Sequence, residues 1–348
     1  MPDLGGSVAA TSGLLSARRP LGWTGVQVAP IALGTMQCGW TLSDVESMEL
    51  LDAYVAAGGN FIDTADMYGP NQNWRDYQRC KPHLGVSEDI IGRWMADRGN
   101  RDDLVVATKV RAQMWDGPDG EGLSRAHILR AADESLRRLR TDHLDLYQAH
   151  WPDDSVPIDE TFEAFGTLID AGKVRFVGVS NYAALGRLEA VISLAELGFP
   201  RIASEQLRYN LLNRNEYEGD TERTLTAHEV ATLCYSPLAS GFLTGKHHRD
   251  SVALSQRTRY VAQYANDDGW RLVDRLDALA ADHAVAPGAV ALAWLLSHRG
   301  ITSAVIGANS IGQLAALLPG ATVDLPAAEL SELSDRAWTA SKPEYTSW

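Results

Sequence analysis

The stretch SRAHILRAADESLRRLRTDHLDLYQAH, residues 124–150, contains one helix pattern, one strand pattern and a terminal histidine. Residues 124–139 have the mixed apolar and charged spacing of an amphipathic helix, and residues 144–148 form a short apolar run typical of a buried strand. His150 follows that strand directly. We interpret the stretch as one repeat of an α/β fold in which a polar side chain is placed just after a strand.

The same alternation runs along the chain, with short apolar runs separated by longer amphipathic segments. Strands are predicted at residues 31–33, 61–62, 104–108, 144–148, 174–179, 202–204, 232–235 and 304–306. Helices are predicted at residues 44–57, 88–97, 124–139, 158–171, 184–194, 220–229, 267–283, 288–297 and 311–318. About eight strand–helix repeats favour a (β/α)8 TIM barrel with a parallel sheet. A doubly wound dinucleotide-binding sheet would carry G-x-G-x-x-G after its first strand, and LGTMQCG at residues 33–39 lacks that spacing.

The two ends of the chain predict additions to the barrel. RRPLGWTGVQVAP, residues 18–30, has a turn-like Trp-Thr-Gly and is expected to form a β-hairpin before the first barrel strand. Residues 325–348 are expected to add a C-terminal helical tail. We predict a flexible leader over residues 1–18 and a single domain over residues 19–348, since no linker-like break interrupts the pattern.

Composition excludes several classes of partner. The chain has 348 residues, 45% of them hydrophobic, and a net charge of -14, which argues against a nucleic-acid or acidic-membrane partner. No apolar run is long enough to span a bilayer, and no secretory signal pattern opens the chain. Its three cysteines lack zinc-site spacing and fit a reducing cytoplasm, so we expect a cytoplasmic protein without a metal. Oligomeric state is left open.

Polar residues end most of the predicted strands. In a barrel of this kind, the carboxyl ends of the strands meet at one rim, where active sites lie. A single polar residue there would be ordinary, but the repetition around the rim predicts a site. The residues at these strand ends are Asp63, Lys109, His150, Ser180, Asn181, Gln206, Tyr235 and Ser236.

Four residues at or near this rim suit the reduction of a carbonyl group. Tyr68 is a phenol with an ordinary pKa near ~10 and can donate a proton. A neighbouring Lys109 ammonium would stabilise the phenolate and lower its pKa, and Asp63 would supply the countercharge of a buried lysine. His150 could hydrogen-bond the carbonyl oxygen. The protein has no hydride of its own, so a nicotinamide cofactor would have to supply one.

Taken alone, each of these residues has an ordinary structural interpretation. Asp63 could cap the loop after its strand. Lys109 could be a solvated lysine, Tyr68 a turn aromatic, and His150 a structural histidine. Their joint occurrence at matching strand ends favours the catalytic interpretation.

The sequence resembles the aldo-keto reductase superfamily over nearly its whole length. The branch it resembles has LGTM and HWPD motifs and a long loop after the catalytic tyrosine. The set of matching motifs is specific, whereas any one of them alone would be weak. They are GGNFIDTADMYG, GVSEDIIGRWM, LVVATKV, LRRLRTDHLDLYQAHWPD, GKVRFVGVSNY, YSPLASGFLTGK, ALAWLL and VIGANSIGQL.

The resemblance implies NAD(P)H-dependent reduction of an aldehyde or ketone, which could be a sugar, with a catalytic tetrad and Tyr68 as the acid. The tetrad is Asp63, Tyr68, Lys109 and His150. It implies cofactor contacts from Gly34, Thr35, Met36, Ser180, Asn181, Gln206, Tyr235, Ser236, Pro237, Leu238, Ser240, Gly241, Leu243, Lys246, Ile306, Gly307, Ala308, Asn309 and Gln313. Trp40 and Trp151 are expected to line the substrate pocket. Asp66 has no fixed role in the family, and we expect it to be a loop or hydrogen-bonding residue.

Three questions stay open at this point. Residues 70–84 form an insertion that could be a substrate lid, a contact between copies or a surface loop. The adenosine segment VIGANSIGQLAALL carries no Lys or Arg for a 2′-phosphate, so NADPH is expected but NADH is open, with compensation from residues 246–249. The family also contains channel-associated β subunits that act as cofactor-binding regulators, which gives an alternative function. A metal-dependent barrel hydrolase is disfavoured, because the predicted rim has only one histidine.

Overall fold

The computed structural model describes residues 11–70, 83–249 and 258–335, and its centre is a closed barrel of eight parallel strands. The strands follow one another around the barrel in chain order, and the last pairs with the first. This confirms the predicted (β/α)8 barrel. The barrel strands are β3 (Ile31–Gly34), β4 (Phe61–Asp63), β5 (Val105–Val110), β6 (Leu144–Ala149), β7 (Val174–Ser180), β8 (Ile202–Arg208), β9 (Ala231–Tyr235) and β10 (Ile301–Ile306).

Helices surround the barrel, and several begin where the sequence provides a cap. Ser43 and Glu46 form a reciprocal capping box at the first helix, and Ser124 accepts a hydrogen bond from the N–H of His127 at the third. The described helices are α1 (Asp44–Ala56), α2 (Val86–Arg98), α3 (Arg125–Leu139), α4 (Ile158–Asp170), α5 (Leu185–Ser193), α6 (Asp220–Ala227), α7 (Thr258–Val261), α8 (Asp267–His283), α9 (Pro287–Ser297), α10 (Ile311–Leu317) and α11 (Ala327–Leu333).

The core has two parts, which follow from the alternation of side chains along a strand. The larger part lies between the strands and the helices. The smaller one fills the barrel with alternate strand residues that include Phe61, Ala107 and Leu146. Bulky apolar side chains therefore block the barrel centre and leave the rim for polar groups.

The predicted hairpin covers the N-terminal end of the barrel. Strands β1 (Arg19–Pro20) and β2 (Gln27–Val28) pair antiparallel, and Leu21 joins the interior cluster of the barrel. The indole N–H of Trp23 donates to the carbonyl of Ile202, the first residue of β8, over 2.8 Å. Because this end is closed, the site must be sought at the opposite rim.

All eight predicted strands are present, and most are longer than predicted. The largest difference is at β8, predicted over residues 202–204 but observed over Ile202–Arg208. The last residues of β8 are polar on the barrel side. The apolar run in the sequence is therefore shorter than the strand. Gln206 consequently lies inside a strand and not after one.

Both ends of the chain are only partly described. Residues 1–10 of the predicted leader lie outside the described residues, whereas Leu15 is completely buried and its N–H donates to the carbonyl of Ala57. In the C-terminal tail, α11 is present and residues 336–348 lie outside the described part. The leader and the single-domain boundary therefore stay predictions.

Among the described residues, no helix taken singly has the length and apolar character needed to cross a bilayer. One bent pair, α8 with α9, passes the same test by length and composition, and α9 is part of the buried core.

Candidate active site

A buried ion pair forms the base of the site. Asp63 is the last residue of β4, and Lys109 lies in the adjacent strand β5. The Lys109 Nζ is 2.5 Å from Asp63 Oδ1 and also donates to the carbonyl of Thr64. Burial opposes a charged Lys109, but the negative charge of Asp63 and the interaction with Tyr68 outweigh it and raise the lysine pKa. Lys109 is therefore an ammonium at neutral pH.

Tyr68 lies beside this ammonium and beside His150. The Lys109 Nζ is 5.3 Å from the centre of the Tyr68 ring, and the tyrosine and histidine rings meet edge to face with centroids 6.0 Å apart. Tyr68 is 9% exposed, enough to reach the rim. Its carbonyl accepts the N–H of Ser87 in α2, which fixes the loop after β4. The structure thus brings the four predicted tetrad residues together.

His150 follows β6 and is neutral in this environment. Burial and the positive charge of Lys109 hold the pKa of its imidazole well below the usual range. Its Nδ1 is buried and has no hydrogen-bond partner among the described residues. A neutral imidazole carries one N–H, which can be donated to a carbonyl oxygen without a full positive charge at the site.

Two glutamines complete the surroundings of Asp63. The side-chain N–H of Gln206 donates to Asp63 Oδ2 over 2.8 Å, and Gln148 approaches the same oxygen at 3.4 Å. Gln206 was predicted only as a cofactor contact, and Gln148 was not predicted. The alternation of LDLYQAH would have found Gln148, because it lies two residues before His150 and therefore faces the same side of the sheet.

Asn181 connects the cofactor residues to the tetrad. Its side-chain N–H groups donate to the carbonyl of His150 and to Ser180 Oγ, and its Oδ1 accepts the Tyr235 hydroxyl over 2.8 Å. The Ser180 hydroxyl donates in turn to the carbonyl of Gln206. Asn181 adopts a left-handed backbone with φ 65°, a conformation that asparagine tolerates better than most residues. The structure brings these four predicted residues together directly beside His150.

The loop after Tyr235 is a concave run of backbone. Ser236 and Ser240 have φ of 49° and 58°, and Gly241 has φ 97°. Left-handed residues in such loops turn successive N–H groups toward one side, which suits an anion. Lys246 comes close to this loop, since a Cβ added at Gly241 would lie 3.0 Å from its Nζ. Several of the loop residues predicted to contact the cofactor therefore have a left-handed backbone, and the Lys246 side chain ends beside them.

Two of the predicted loop contacts can offer only main-chain atoms. The side chains of Leu238 and Leu243 are buried in the outer core, at 7% and 0% exposure. Pro237 has no N–H at all. At these positions a cofactor contact would therefore come from the main chain.

The residues predicted for the adenosine end lie at the junction of β10 and β3. Asn309 accepts the hydroxyl of Thr41 over 2.6 Å, and its N–H donates to the side chain of Gln313. A Cβ added at Gly307 would lie 2.5 Å from the end of the Gln37 side chain, so the glutamine packs directly over this glycine. The neighbouring predicted contacts are Gly34, Thr35 and Met36 after β3, and Ile306 and Ala308 at the end of β10.

The candidates for a 2′-phosphate contact differ in availability. His247 is completely buried, and burial, with Lys246 and His248, lowers its pKa, so it is not a cation. Arg249 is 2.7 Å from Asp267 in an exposed ion pair. Lys246 and His248 are exposed. Of these four residues, Lys246 is exposed, and its Nζ lies beside Gly241 in the loop that follows β9.

The two tryptophans predicted to line the pocket are placed differently. Trp151 packs on the apolar cluster around Tyr68 and lies next to the His150 ring, with centroids 4.8 Å apart. Trp40 is half-buried in the turn after β3, where its N–H donates to the carbonyl of Gln37. The structure therefore brings Trp151 to the tetrad and leaves Trp40 at a distance from this cluster.

The insertion starts and ends beside Tyr68. A Cβ at Gly69 would lie 1.9 Å from the carbonyl oxygen of His83, so the two ends of the insertion touch. Leu84 packs against the cluster that contains Tyr68. Residues 71–82, which form the rest of the insertion, lie outside the described residues.

Asp66 is completely buried, behind the tetrad. Its N–H donates to the carbonyl of Lys109, but neither carboxylate oxygen has a hydrogen-bond partner among the described residues. Burial and the negative charge of nearby Glu88 raise its pKa well above the ordinary value, and Arg138 opposes this only in part. This environment favours the protonated form of Asp66. Asp66 lies in the loop after β4, one of the two expected roles, and its carboxylate oxygens accept no hydrogen bond from a described residue.

Among the residues that the structure describes, no group of three His, Cys, Asp or Glu side chains is arranged to hold a metal ion. Cys38 and Cys234 are free and buried, and burial raises the pKa of Cys38 to about 11. Cys80 lies outside the described residues.

Comparison with known proteins agrees with this geometry. The sequence model of the Aldo/keto reductase family matches residues 30–336. The chain belongs to this family. It is 33% identical to the uncharacterized oxidoreductase YrpG of Bacillus subtilis, over 90% of this chain and 94% of that protein. It is 31% identical to Protein tas of Escherichia coli (88% and 94%), and 32% identical to a probable voltage-gated potassium channel subunit beta of Oryza sativa (84% and 88%).

Membership of the aldo/keto reductase family identifies the chain as an oxidoreductase, and carbonyl reduction is the general reaction it supports.

Proposed function

We propose that the protein reduces an aldehyde or ketone to an alcohol with a nicotinamide cofactor, and that Tyr68 donates the proton. The observation that carries the proposal is the placement of Tyr68 between a buried ammonium, Lys109, and a neutral imidazole, His150. This is the arrangement that a general acid beside a developing oxyanion requires.

The residues have distinct tasks in this proposal. The Tyr68 hydroxyl gives its proton to the carbonyl oxygen, and the Lys109 ammonium stabilises the phenolate that is left. Asp63 keeps Lys109 charged and fixed in the barrel, with Gln206 on its second oxygen. The N–H of a neutral His150 orients the carbonyl oxygen beside the phenol. Since His150 is uncharged, it does not compete with Tyr68 as a proton donor.

The described residues fit a nicotinamide dinucleotide. Ser180, Asn181 and Gln206 converge next to the tetrad and would hold the carboxamide, while Tyr235 is positioned by Asn181 to pack on the ring. The left-handed loop from Ser236 to Gly241 would receive the pyrophosphate. Bound there, the nicotinamide would supply the hydride. We prefer NADPH, because Lys246 lies beside the loop.

The test is the loss of NADPH absorbance with 4-nitrobenzaldehyde. Tyr68→Phe is expected to lower kcat by about two to four orders of magnitude, because it removes the general acid. Tyr147→Phe is the matched control, since the Tyr147 hydroxyl is buried, has no hydrogen-bond partner among the described residues and faces away from the rim. Undiminished activity of Tyr68→Phe would contradict the mechanism.

The likeness to a probable potassium channel subunit beta keeps a regulatory role as the second candidate. In that role the protein would bind cofactor and turn over few carbonyl compounds. Tight NADPH binding with negligible reduction across a broad panel of aldehydes and ketones would favour it over the reductase. The predicted cytoplasmic location is compatible with both.

A further inference from the structure

Arg111 lies at the rim of the barrel and was not among the predicted site residues. It directly follows β5, two residues after Lys109. Its guanidinium carbon is 5.2 Å from the centre of the Trp151 ring, which in turn stacks beside the His150 ring. One aromatic side chain therefore separates this cation from the catalytic histidine.

The guanidinium makes no hydrogen bond to any described residue, although it is mostly buried. Its side chain is 23% exposed, and its Nε is buried without a partner. The nearest acid is Asp153, whose Oδ1 is 3.8 Å from an Arg111 nitrogen, beyond hydrogen-bond distance. A guanidinium has five N–H donors in a planar fork and normally pairs with a carboxylate or phosphate through two of them.

Both carboxylate oxygens of Asp153 already accept hydrogen bonds from other residues. Its Oδ2 accepts the N–H of Leu123, and its Oδ1 accepts both the N–H and the hydroxyl of Ser155. These bonds hold Asp153 in its own loop. The aspartate thus supplies a negative charge that keeps Arg111 in place, but it leaves the donors of the fork unpaired.

The backbone at Arg111 is held in a conformation that favours glycine. Its φ is 141°, a conformation that is strained for a residue with a side chain. The N–H of Gly122 donates to the carbonyl of Arg111 and closes the loop of residues 111–122. Glycine would be less strained at this position. The presence of arginine therefore indicates that its side chain has a function there.

Arg111 is a cation near the tetrad that makes no hydrogen bond to a described residue and has an acid only at 3.8 Å. The Lys109 ammonium is neutralised by Asp63 at 2.5 Å, and His150 is uncharged. The neighbouring His127 is also neutral, because burial lowers its pKa. The acids of the 111–122 loop are exposed to solvent, where their charges are screened: they are Asp116, Asp119 and Glu121.

We propose that Arg111 binds an anionic group, a carboxylate or a phosphate, on the carbonyl substrate, with Trp151 packing against the part of the substrate between that group and the carbonyl. The protein would then prefer acidic aldehydes or ketones to neutral ones. This inference rests on the proposed reductase function and adds to it the class of substrate. Arg111 would be a specificity-determining residue, distant from the proton transfer itself.

The test compares substrates that differ only in charge. The carboxylate arm uses 4-formylbenzoate and 4-oxobutanoate, each against its methyl ester. The phosphate arm uses glyceraldehyde 3-phosphate against glyceraldehyde. In Arg111→Met the ratio of kcat/KM for the anion to that for its neutral counterpart is expected to fall about 10- to 100-fold in at least one arm, the loss typical of a hydrogen bond to a charged group. Reduction of the neutral substrates should stay within about twofold.

Two further variants separate recognition from loop structure. Arg111→Lys keeps the charge and should retain part of the preference. Arg130→Met removes another cation that lies over a tryptophan, 4.0 Å from the Trp115 ring centre, and should leave the ratio unchanged. An equal loss for charged and neutral substrates in Arg111→Met, or no change in the ratio in either arm, would overturn the proposal. If no substrate shows reduction that depends on Tyr68, the reductase proposal itself fails, and this one with it.

Discussion

The Lys109 ammonium lies 2.5 Å from Asp63 Oδ1, and both side chains are buried, at 1% and 3% exposure. In the sequence, Asp63 and Lys109 end two different predicted strands. In the structure, β4 and β5 pair side by side, which brings the two side chains together. A pair this deep is sensitive to the loss of one partner, because the other is then a buried charge without compensation.

We therefore expect Lys109→Met to lower the free energy of unfolding by about 3–5 kcal/mol, which is the usual cost of leaving one buried charge unpaired. Asp63→Asn in the same chain should restore part of that loss, because the double variant carries no uncompensated charge. Urea unfolding followed by fluorescence measures both. A double variant less stable than Lys109→Met would show that the pair is not coupled as proposed.

His150 should make the fold sensitive to acid. Its folded-state pKa is depressed, so the unfolded chain binds a proton near pH ~6.5 while the folded chain does not. Stability is thus present above that pH and is lost as the pH falls below it. His150→Gln should flatten this part of the profile, seen as a smaller drop in Tm between pH 7.5 and 5. His228→Gln, at an exposed histidine, is the control.

Asp66 should act on stability in the opposite direction. Its folded-state pKa is raised, so the folded chain keeps a proton that the unfolded chain loses above pH ~3.9, and stability is lost as the pH rises. Asp66→Asn removes this loss. The variant should be more stable than the wild type at neutral pH, and its advantage should grow between pH 5 and pH 7 by up to ~1.4 kcal/mol per pH unit.

The neighbouring Glu88 provides the matched control for this change. It is equally buried, but it accepts hydrogen bonds from Arg138 and Thr108. Glu88→Gln should therefore destabilise the fold, since it removes the close ion pair of the buried Arg138. Equal behaviour of the two variants in a thermal melt would contradict a neutral Asp66.

The barrel could be predicted from the sequence because each strand carries its own local signal. An apolar run that ends in a polar residue and is followed by an amphipathic segment identifies a strand, its end and the helix after it. The signal failed where polar residues belong to the strand itself, as in the Ser204 to Arg208 part of β8. Inward-facing polar side chains near the rim shorten the apolar run without ending the strand.

The members of the site could be predicted, but their contacts could not. Asp63 and Gln206 are 143 positions apart, and their hydrogen bond depends on the closure of the barrel. Asn181 was predicted as a cofactor contact, whereas its role as the connection between Tyr235 and His150 depends on a left-handed backbone that the sequence does not indicate. Arg111 was missed because the residues after β5 resemble an ordinary loop.

Lys246 should decide the preference for NADPH over NADH. It is exposed beside the left-handed loop, whereas Arg249 is held 2.7 Å from Asp267 and His247 is buried. Lys246→Met is expected to raise the KM for NADPH about tenfold, the scale of one lost charge-assisted contact to a phosphate, and to leave the KM for NADH within about twofold. The comparison needs both cofactors titrated with one aldehyde. Arg249→Met serves as the control, because its charge is already paired and its loss should change neither KM appreciably. A larger effect from Arg249 than from Lys246, or equal effects on both cofactors, would place the 2′-phosphate contact elsewhere.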